Sequence, residues 1–233
     1  MNKIKETFGR ARVVLPVVHC CNEAQARVNA NMARICGADG VWLINQGGMR
    51  ARPVLNLAGE LVAESPGFFV GVNTLGTRPL DTARLLAGRV KPQGLWTDNA
   101  GLDDGAFAAF HTQLGWRPLY FGGVAFKYQA PVAPELYGQV AAEAAHAGVD
   151  VVTTSGPGTG EPTPVEKVAA MREAIGTHAL AVASGVSIEN VDGLLPYVDA
   201  FIVSSSIESS FGHLDTIKLR ALVERVHAWG QHA

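Results

Sequence analysis

The chain has 233 residues with a formal net charge of -2, and 48% of its residues are hydrophobic. This near-neutral balance excludes a protein whose main task is to bind nucleic-acid phosphates or an anionic membrane surface. No apolar run approaches the roughly 18 residues that a membrane-spanning helix needs, and the first residues lack the pattern of a secretory signal. The cysteines Cys20, Cys21 and Cys36 have no paired metal-ligand spacing, so we expect reduced thiols and a cytoplasmic protein.

Short apolar runs, many of them rich in β-branched residues, recur along the chain at intervals of about 20 to 30 residues, the spacing of a strand followed by a crossover helix. Because most of these runs are apolar throughout rather than alternating, they are typical of parallel strands that are covered on both faces. The eight predicted strands begin at Val13, Val41, Phe68, Gly94, Leu119, Val149, Ala179 and Ala200.

Eight strand–helix units in a chain of this length predict a closed (β/α)8 barrel that occupies residues 1–233 as one domain. The competing fold is an open, doubly wound sheet, which usually carries a glycine-rich turn after its first strand. Here the first strand is followed by His19, Cys20, Cys21 and Asn22, and this sequence favours the barrel.

The segments between the strands carry helix signals. Thr163 is a predicted N-cap, and Pro164 suits the first helical position. Gly37, Gly148 and Gly176 lie where helices should end, at positions that favour a left-handed residue. The final predicted helix has one apolar stripe, formed by Leu219, Leu222, Val223 and Val226.

Polar residues follow nearly every predicted strand, at the point where the strand ends. In a barrel of parallel strands these positions share one rim, and the active sites of such barrels lie at this carboxyl-terminal end. We therefore predict a ligand site at the barrel mouth. Its candidate side chains are His19, Asn45, Asn73, Asp98, Asn99, Lys127, Thr153, Ser155, Ser184 and Ser204.

The loops after the last three strands have the composition of a phosphate-binding cradle. Gly156 and Gly158 lie in the loop after strand six, Gly185 follows strand seven, and Ser204 and Ser205 follow strand eight. Glycines let backbone N–H groups approach an anion without interference from a Cβ atom, and the last two loops are the habitual phosphate site of (β/α)8 barrels. The alternative is that these residues only form tight turns; we favour a bound phosphate group.

Lys127 is the leading catalytic candidate, because its ammonium group would be partly desolvated at the end of a buried strand. It could form an imine, transfer a proton or pair with a substrate anion, and a structural salt bridge to Asp98 is the alternative. His19 could be a general acid or base, could hold a substrate hydroxyl, or could be purely structural. Asp98 could accept a proton or orient Lys127.

The remaining rim residues are interpreted as hydrogen-bonding groups for a phosphorylated or polyhydroxylated ligand. These are Asn45, Asn73 and Asn99, together with Thr153 and Ser155 at the end of strand six. No metal site is predicted, because the histidines lack the H-x-H and H-E-x-x-H spacings. No cofactor is predicted either, since the chain has no nicotinamide-binding fingerprint.

A known family pattern is visible in five segments: 14–19 (VLPVVH), 38–45 (ADGVWLIN), 150–160 (DVVTTSGPGTG), 183–191 (ASGVSIENV) and 199–207 (DAFIVSSSI). Together they resemble the BtpA/SgcQ-like family, a branch of the phosphate-binding TIM barrels. The resemblance implies the barrel fold, and Lys127 falls where that family tends to carry a strand-five lysine. Ser204 stands where the family usually has a glycine, and the segment around Asp98 fits the family poorly.

Two hypotheses for the function follow from these observations. The first is an enzyme that acts on a small phosphorylated or sugar-like metabolite by isomerisation, aldol-type cleavage or group transfer. In this hypothesis Lys127 and His19 carry the chemistry, and the last three loops hold the anion. The second rests on the association of the resembled family with photosystem biogenesis: a non-catalytic barrel that serves as a ligand-binding or assembly factor. We expect a homo-oligomer, with no nucleic-acid or membrane partner.

Overall fold

A computed structural model describes residues 2–86, 89–101 and 116–229. Within these ranges eight parallel strands pair in chain order, and the eighth pairs back with the first, so the predicted closed barrel is confirmed and the open sheet is excluded. The strands are β1 (Val13–His19), β2 (Gly40–Ile44), β3 (Phe69–Asn73), β4 (Gly94–Thr97), β5 (Leu119–Gly123), β6 (Val151–Thr154), β7 (Ala179–Ala183) and β8 (Ala200–Val203).

Helices precede, separate and follow these strands. They are α1 (Lys3–Phe8), α2 (Glu23–Ile35), α3 (Ala51–Glu64), α4 (Pro79–Leu85), α5 (Tyr137–His146), α6 (Val165–Ile175), α7 (Val191–Leu194) and α8 (Thr216–Ala228). Two short 3-10 helices span Pro134–Leu136 and Ser205–Ile207, and a small hairpin of β9 (Glu208–Ser210) and β10 (His213–Leu214) follows β8. Among the described helices, none combines the length and the hydropathy that a transmembrane span requires.

The apolar residues of each strand divide between two cores. Side chains such as Leu15, Trp42 and Phe121 fill the barrel interior, and their neighbours in sequence pack between the strands and the helices. Trp42 has room because two facing residues are glycines: a Cβ atom on Gly71 or Gly94 would lie 2.2 or 2.8 Å from its ring. The strands are thus buried on both faces, which is why their sequences do not alternate.

The amino-terminal end of the barrel is covered by α1, which the strand pattern did not predict. Ile4 is fully buried and belongs to the interior core. Phe8 packs its ring against Phe69, with 5.0 Å between the ring centroids. This helix covers the end of the barrel opposite to the predicted ligand site.

The predicted apolar stripe of the last helix is confirmed, but the predicted N-cap of α6 is wrong. All four residues of the predicted apolar stripe on α8 are buried, and Gly37, Gly148 and Gly176 have positive φ as predicted. Thr163, however, does not cap α6. Pro164 itself occupies the cap position with ψ 134°, so Thr163 lies one residue too far out, and its hydroxyl is buried without a partner.

Candidate functional site

A cavity of about 380 Å³ opens at the carboxyl ends of the strands. Its apolar lining includes Val17, Ile44, Trp96 and Ile202, which belong to the interior core. Polar groups from β1, Gln46 from the loop after β2, and polar groups from the loops after β5 to β8 complete the lining. The predicted rim therefore contains an enclosed space large enough for a small metabolite.

His19 ends β1 and lies in the wall of this cavity, with 8% of its surface exposed. Its Nε2 lies 2.8 Å from the Ser204 hydroxyl and 3.6 Å from Glu208 Oε1. The ring stacks on Phe211 at 4.6 Å between centroids, while Nδ1 is buried without a hydrogen-bond partner. Burial, and secondarily the positive charge of Lys127, lower the pKa of His19, which favours the neutral imidazole.

Glu208 is a member of this cluster that the sequence analysis missed. It begins β9, and 8% of its side chain is exposed. The Ser204 hydroxyl donates to its Oε1 at 3.4 Å, and burial raises the pKa of Glu208. The hairpin that carries Glu208 is held by Asn29 of α2, which donates to Gly212 O at 2.7 Å. No local spacing marks such a residue, because its position depends on this long-range contact.

Lys127 lines the same cavity as His19, so the two predicted catalytic side chains lie at one end of the barrel. It follows β5 in a tight turn in which Ala125 and Tyr128 have positive φ. The Lys127 N–H donates to Ser155 Oγ at 2.7 Å, and Nζ donates to Thr159 Oγ1 at 3.3 Å. Among the ion pairs of the described residues none involves Lys127, so the alternative of a salt bridge to Asp98 is not formed.

The loops after β7 and β8 present backbone N–H groups at the cavity. Gly185 (φ 67°) and Val186 come from the first loop, and Ser205 begins the 3-10 helix of the second. Within the described part of the chain, the N–H groups of these three residues donate to no protein acceptor. Free N–H groups of a glycine-containing loop and of the start of a helical turn are suited to binding an anion.

The glycines after β6 have a role different from the predicted one. A Cβ atom on Gly156 would lie 2.3 Å from Glu161 O, and one on Gly185 would lie 2.0 Å from the same oxygen. A Cβ on Gly158 would meet the Glu161 side chain at 2.4 Å. These glycines let the β6 loop fold back on itself and pack on the β7 loop, so packing of the protein accounts for them without a ligand. Ser184 joins this contact, since its Oγ accepts from Gly160 N at 2.9 Å and donates to Gly158 O at 3.3 Å.

The three asparagines of the rim bind the protein itself. Asn45 Oδ1 accepts from Leu75 N at 2.6 Å and joins the loops after β2 and β3. Asn73, 2% exposed, donates to Asp98 Oδ1 at 3.0 Å. Asn99 Oδ1 accepts from Gly101 N at 2.8 Å. Their side chains stabilise loops and do not contribute to the lining of the cavity.

Asp98, Thr153 and Ser155 also lie behind the cavity rather than in its wall. Burial raises the pKa of Asp98, and the hydrogen bond from Asn73 and the charge of Lys127 oppose this effect. Thr153 is fully buried, and its hydroxyl donates to Val151 O at 3.1 Å. Ser155 is equally buried and donates to Gly156 O at 2.9 Å, besides accepting the Lys127 N–H.

Lys167 of α6 is a second residue that the sequence analysis missed. It is 6% exposed, and its Nζ donates to Ala125 O at 2.5 Å and to Ser155 O at 2.8 Å. Nζ lies 5.1 Å from the Tyr137 ring centroid, and burial lowers the pKa of Lys167 to about 8. The sequence held a signal, because Lys167 lies four residues before the buried Met171 on the same helical face.

Solved structures with the same architecture belong to the class of (β/α)8 barrels. Tryptophan synthase from Mycobacterium tuberculosis is 16% identical, with a TM-score of 0.72 over 97% of this chain and 98% of that one. (S)-3-O-geranylgeranylglyceryl phosphate synthase from Thermoplasma acidophilum, solved with its substrate sn-glycerol-1-phosphate, is 14% identical, with a TM-score of 0.68 and coverages of 97% and 98%. Phosphoribosyl anthranilate isomerase from Thermus thermophilus is 19% identical, with a TM-score of 0.63 and coverages of 93% and 98%. At these identities the likeness establishes the fold.

The sequence itself defines the family within this class. The model of the BtpA family matches residues 81–228, so the chain belongs to the BtpA family, and the resemblance drawn from the five segments is confirmed. A comparison with curated proteins gives no match.

Proposed function

We propose that this protein is an enzyme that acts on a small phosphorylated, sugar-like metabolite at the mouth of the barrel. The observation that supports the proposal most strongly is the convergence of four groups on one cavity of about 380 Å³. These groups are the amine of Lys127, the imidazole of His19, and the backbone N–H groups of Gly185 and Ser205.

The phosphate group would bind at the loops after β7 and β8. Free N–H groups there can donate hydrogen bonds to phosphate oxygens, and such loops hold phosphate groups in many (β/α)8 barrels. Ser206 helps to fix the geometry, because its hydroxyl donates to Val186 O at 2.5 Å and ties the two loops together. The Lys127 ammonium on the other side of the cavity adds a positive charge that favours an anionic ligand.

Lys127 would react with the carbonyl end of the same ligand. Its Nζ donates to the neutral hydroxyl of Thr159, and in the described residues it has no carboxylate partner. Loss of one proton from the ammonium to solvent would therefore leave the amine lone pair for attack. Attack on an aldehyde or ketone carbon, followed by loss of water, gives an imine that activates the adjacent carbon. His19 would exchange protons with the ligand through the Ser204 hydroxyl, which lines the same cavity. Asp98, which is absent from the cavity lining, would act only through its charge on Lys127.

Borohydride trapping tests this proposal without knowledge of the natural substrate. Ribose 5-phosphate and ribose present the same aldehyde, and borohydride converts an imine to a stable secondary amine that mass spectrometry locates. We expect modification at Lys127, with ribose 5-phosphate at least about tenfold more efficient than ribose. A hydrogen bond to a charged group contributes about 1.5–3 kcal/mol, and about 1.4 kcal/mol corresponds to a factor of ten. Lys127→Met should abolish the modification completely.

The matched control is Lys5→Met, which removes an exposed lysine on α1 at the covered end of the barrel. This variant should be trapped as efficiently as the natural sequence. Equal trapping of ribose and ribose 5-phosphate would refute the phosphate site, and trapping spread evenly over surface lysines would refute the role of Lys127.

The second candidate function is a non-catalytic ligand-binding or assembly factor of the BtpA family. Two observations favour it. His19 Nε2 is hydrogen-bonded to Ser204 while Nδ1 is buried without a partner, and the asparagines of the rim form hydrogen bonds within the protein. A ligand that binds with phosphate dependence but is never trapped or converted would support this function over the enzymatic one.

A further inference from the structure

A buried chain of three polar side chains runs along one wall of the ligand cavity. Ser204 Oγ is its central atom, 2.8 Å from His19 Nε2 and 3.4 Å from Glu208 Oε1. The outer members lie 3.6 Å apart, and their side chains are 10% and 8% exposed. A hydroxyl both donates and accepts, so Ser204 can link an imidazole nitrogen to a carboxyl group in either direction.

The cavity meets this cluster at two of its members, since His19 and Ser204 both line it. His19 Nε2 is bonded to Ser204, and His19 Nδ1 is buried without a partner, so neither ring nitrogen is free for a bound ligand. Ser204 is only partly buried, and its hydroxyl is therefore the group of the cluster that a ligand at the mouth can reach. Glu208 lies outside the lining.

We propose that His19, Ser204 and Glu208 form a proton relay in which Glu208 is the proton reservoir of the cavity. In one end state Glu208 Oε1 carries a proton, and neutral His19 carries its own at Nδ1. In the transfer, Glu208 gives its proton to Ser204 Oγ while the Ser204 hydroxyl proton passes to His19 Nε2. The products are a carboxylate, an imidazolium and an unchanged serine. The inference rests on the proposed function, because it assigns the source of the protons that His19 would transfer there.

The electrostatic environment brings the two ends of the relay closer in proton affinity. Burial lowers the pKa of His19 and raises the pKa of Glu208, so both neutral forms are favoured by the same desolvation. The other charged groups that face the cluster are Lys127 on the side of His19, and His213 and Lys218 on the side of Glu208. Two titrating groups this close should titrate as a coupled pair.

The coupling can be measured in the free protein by NMR of histidine with a ¹³C-labelled ring. The His19 signal is assigned as the one lost in His19→Gln. In the natural sequence we expect its titration curve to show two inflections, one from His19 and one from Glu208. Glu208→Gln should remove the second inflection and move the His19 midpoint to lower pH, because a neutral amide no longer favours the imidazolium.

The role of the Ser204 hydroxyl is tested with one variant that removes it, one that keeps it, and a control at a neighbouring serine. Ser204→Ala should weaken the second inflection, and Ser204→Thr, which keeps a hydroxyl, should restore it. Ser209→Ala is the matched control, because that hydroxyl lies on the same hairpin but donates to His213 O, and its curve should equal that of the natural sequence.

Each contrary result overturns a defined part of the relay. An unchanged His19 curve in Glu208→Gln would show that Glu208 does not communicate with His19. Full coupling in Ser204→Ala would show a direct ion pair with no role for the serine. Since these titrations need no ligand, loss of borohydride trapping with intact coupling would count against the proposed function alone.

Discussion

The two sides of the barrel mouth use their polar residues in different ways. On the side of β2 to β4, Asn45, Asn73 and Asn99 point their side chains at neighbouring loops and at Asp98. On the side of β7 and β8, the serines tie loops together while the backbone N–H groups of Gly185 and Ser205 stay free at the cavity. Polar residues at a strand end thus predict either loop support or ligand contact, and only the hydrogen-bond partners distinguish the two.

The loops after β5 and β6 contain both a side chain that reaches the cavity and contacts that support the loops. Lys127 reaches the cavity, and behind it Lys167 holds Ala125 O and Ser155 O in place. Since Ser155 Oγ accepts the Lys127 N–H, Lys167 supports the turn that positions Lys127. The turn that carries Lys127 is therefore supported by a second, buried lysine.

The largest expected effect on stability comes from Lys167. Its folded pKa of about 8 lies below the ordinary lysine value of 10.5, so between these values the unfolded chain binds more protons and stability rises with pH. The free energy of unfolding of the natural sequence, relative to Lys167→Met, should therefore increase from pH 8 to pH 10.5, by at most about 3 kcal/mol. Urea denaturation at both ends of this range measures the difference.

The control for this titration is Lys5→Met, which also removes one positive charge but from an exposed site. Its stability difference from the natural sequence should change much less with pH. A difference between the natural sequence and Lys167→Met that does not change with pH would mean that the buried amine is not desolvated in solution.

A smaller effect on the free energy of unfolding is expected from Asn45, on the opposite side of the barrel mouth. Asn45→Ala removes the acceptor of the Leu75 N–H, and loss of such a hydrogen bond costs about 1–2 kcal/mol of unfolding free energy. Ribose 5-phosphate should still be trapped at Lys127, because Asn45 lies outside the lining of the cavity. Loss of trapping at unchanged stability would place Asn45 in the ligand site and erase the difference between the two sides.

The barrel could be predicted from the sequence because its signals are local. Each apolar run between Val13 and Val203 contains enough information to mark a strand, and the regular interval sets their order. The strand ends then placed His19 and Lys127 at one rim, as the cavity has them. The resemblance of segments 150–160 and 199–207 supported the same fold and family.

The rest depends on contacts between distant parts of the chain. Glu208 lies near His19 on a hairpin that Asn29, distant in the sequence, helps to hold. Gly156 and Gly185 have the composition of a phosphate loop, yet both make room for Glu161 O. The role of each of these residues depends on a neighbour elsewhere in the sequence. Residue type and spacing do not specify that neighbour.

The proposed function requires an anion to bind at the backbone N–H groups of the β7 and β8 loops. Titration of ¹⁵N-labelled protein with inorganic phosphate, followed by amide NMR, tests this binding without a substrate. We expect saturable shifts concentrated at Gly185, Val186 and Ser205, with sulfate competing and chloride having little effect. Absence of saturable shifts there, or shifts centred on the exposed arginines Arg50 and Arg52 near the start of α3, would contradict it.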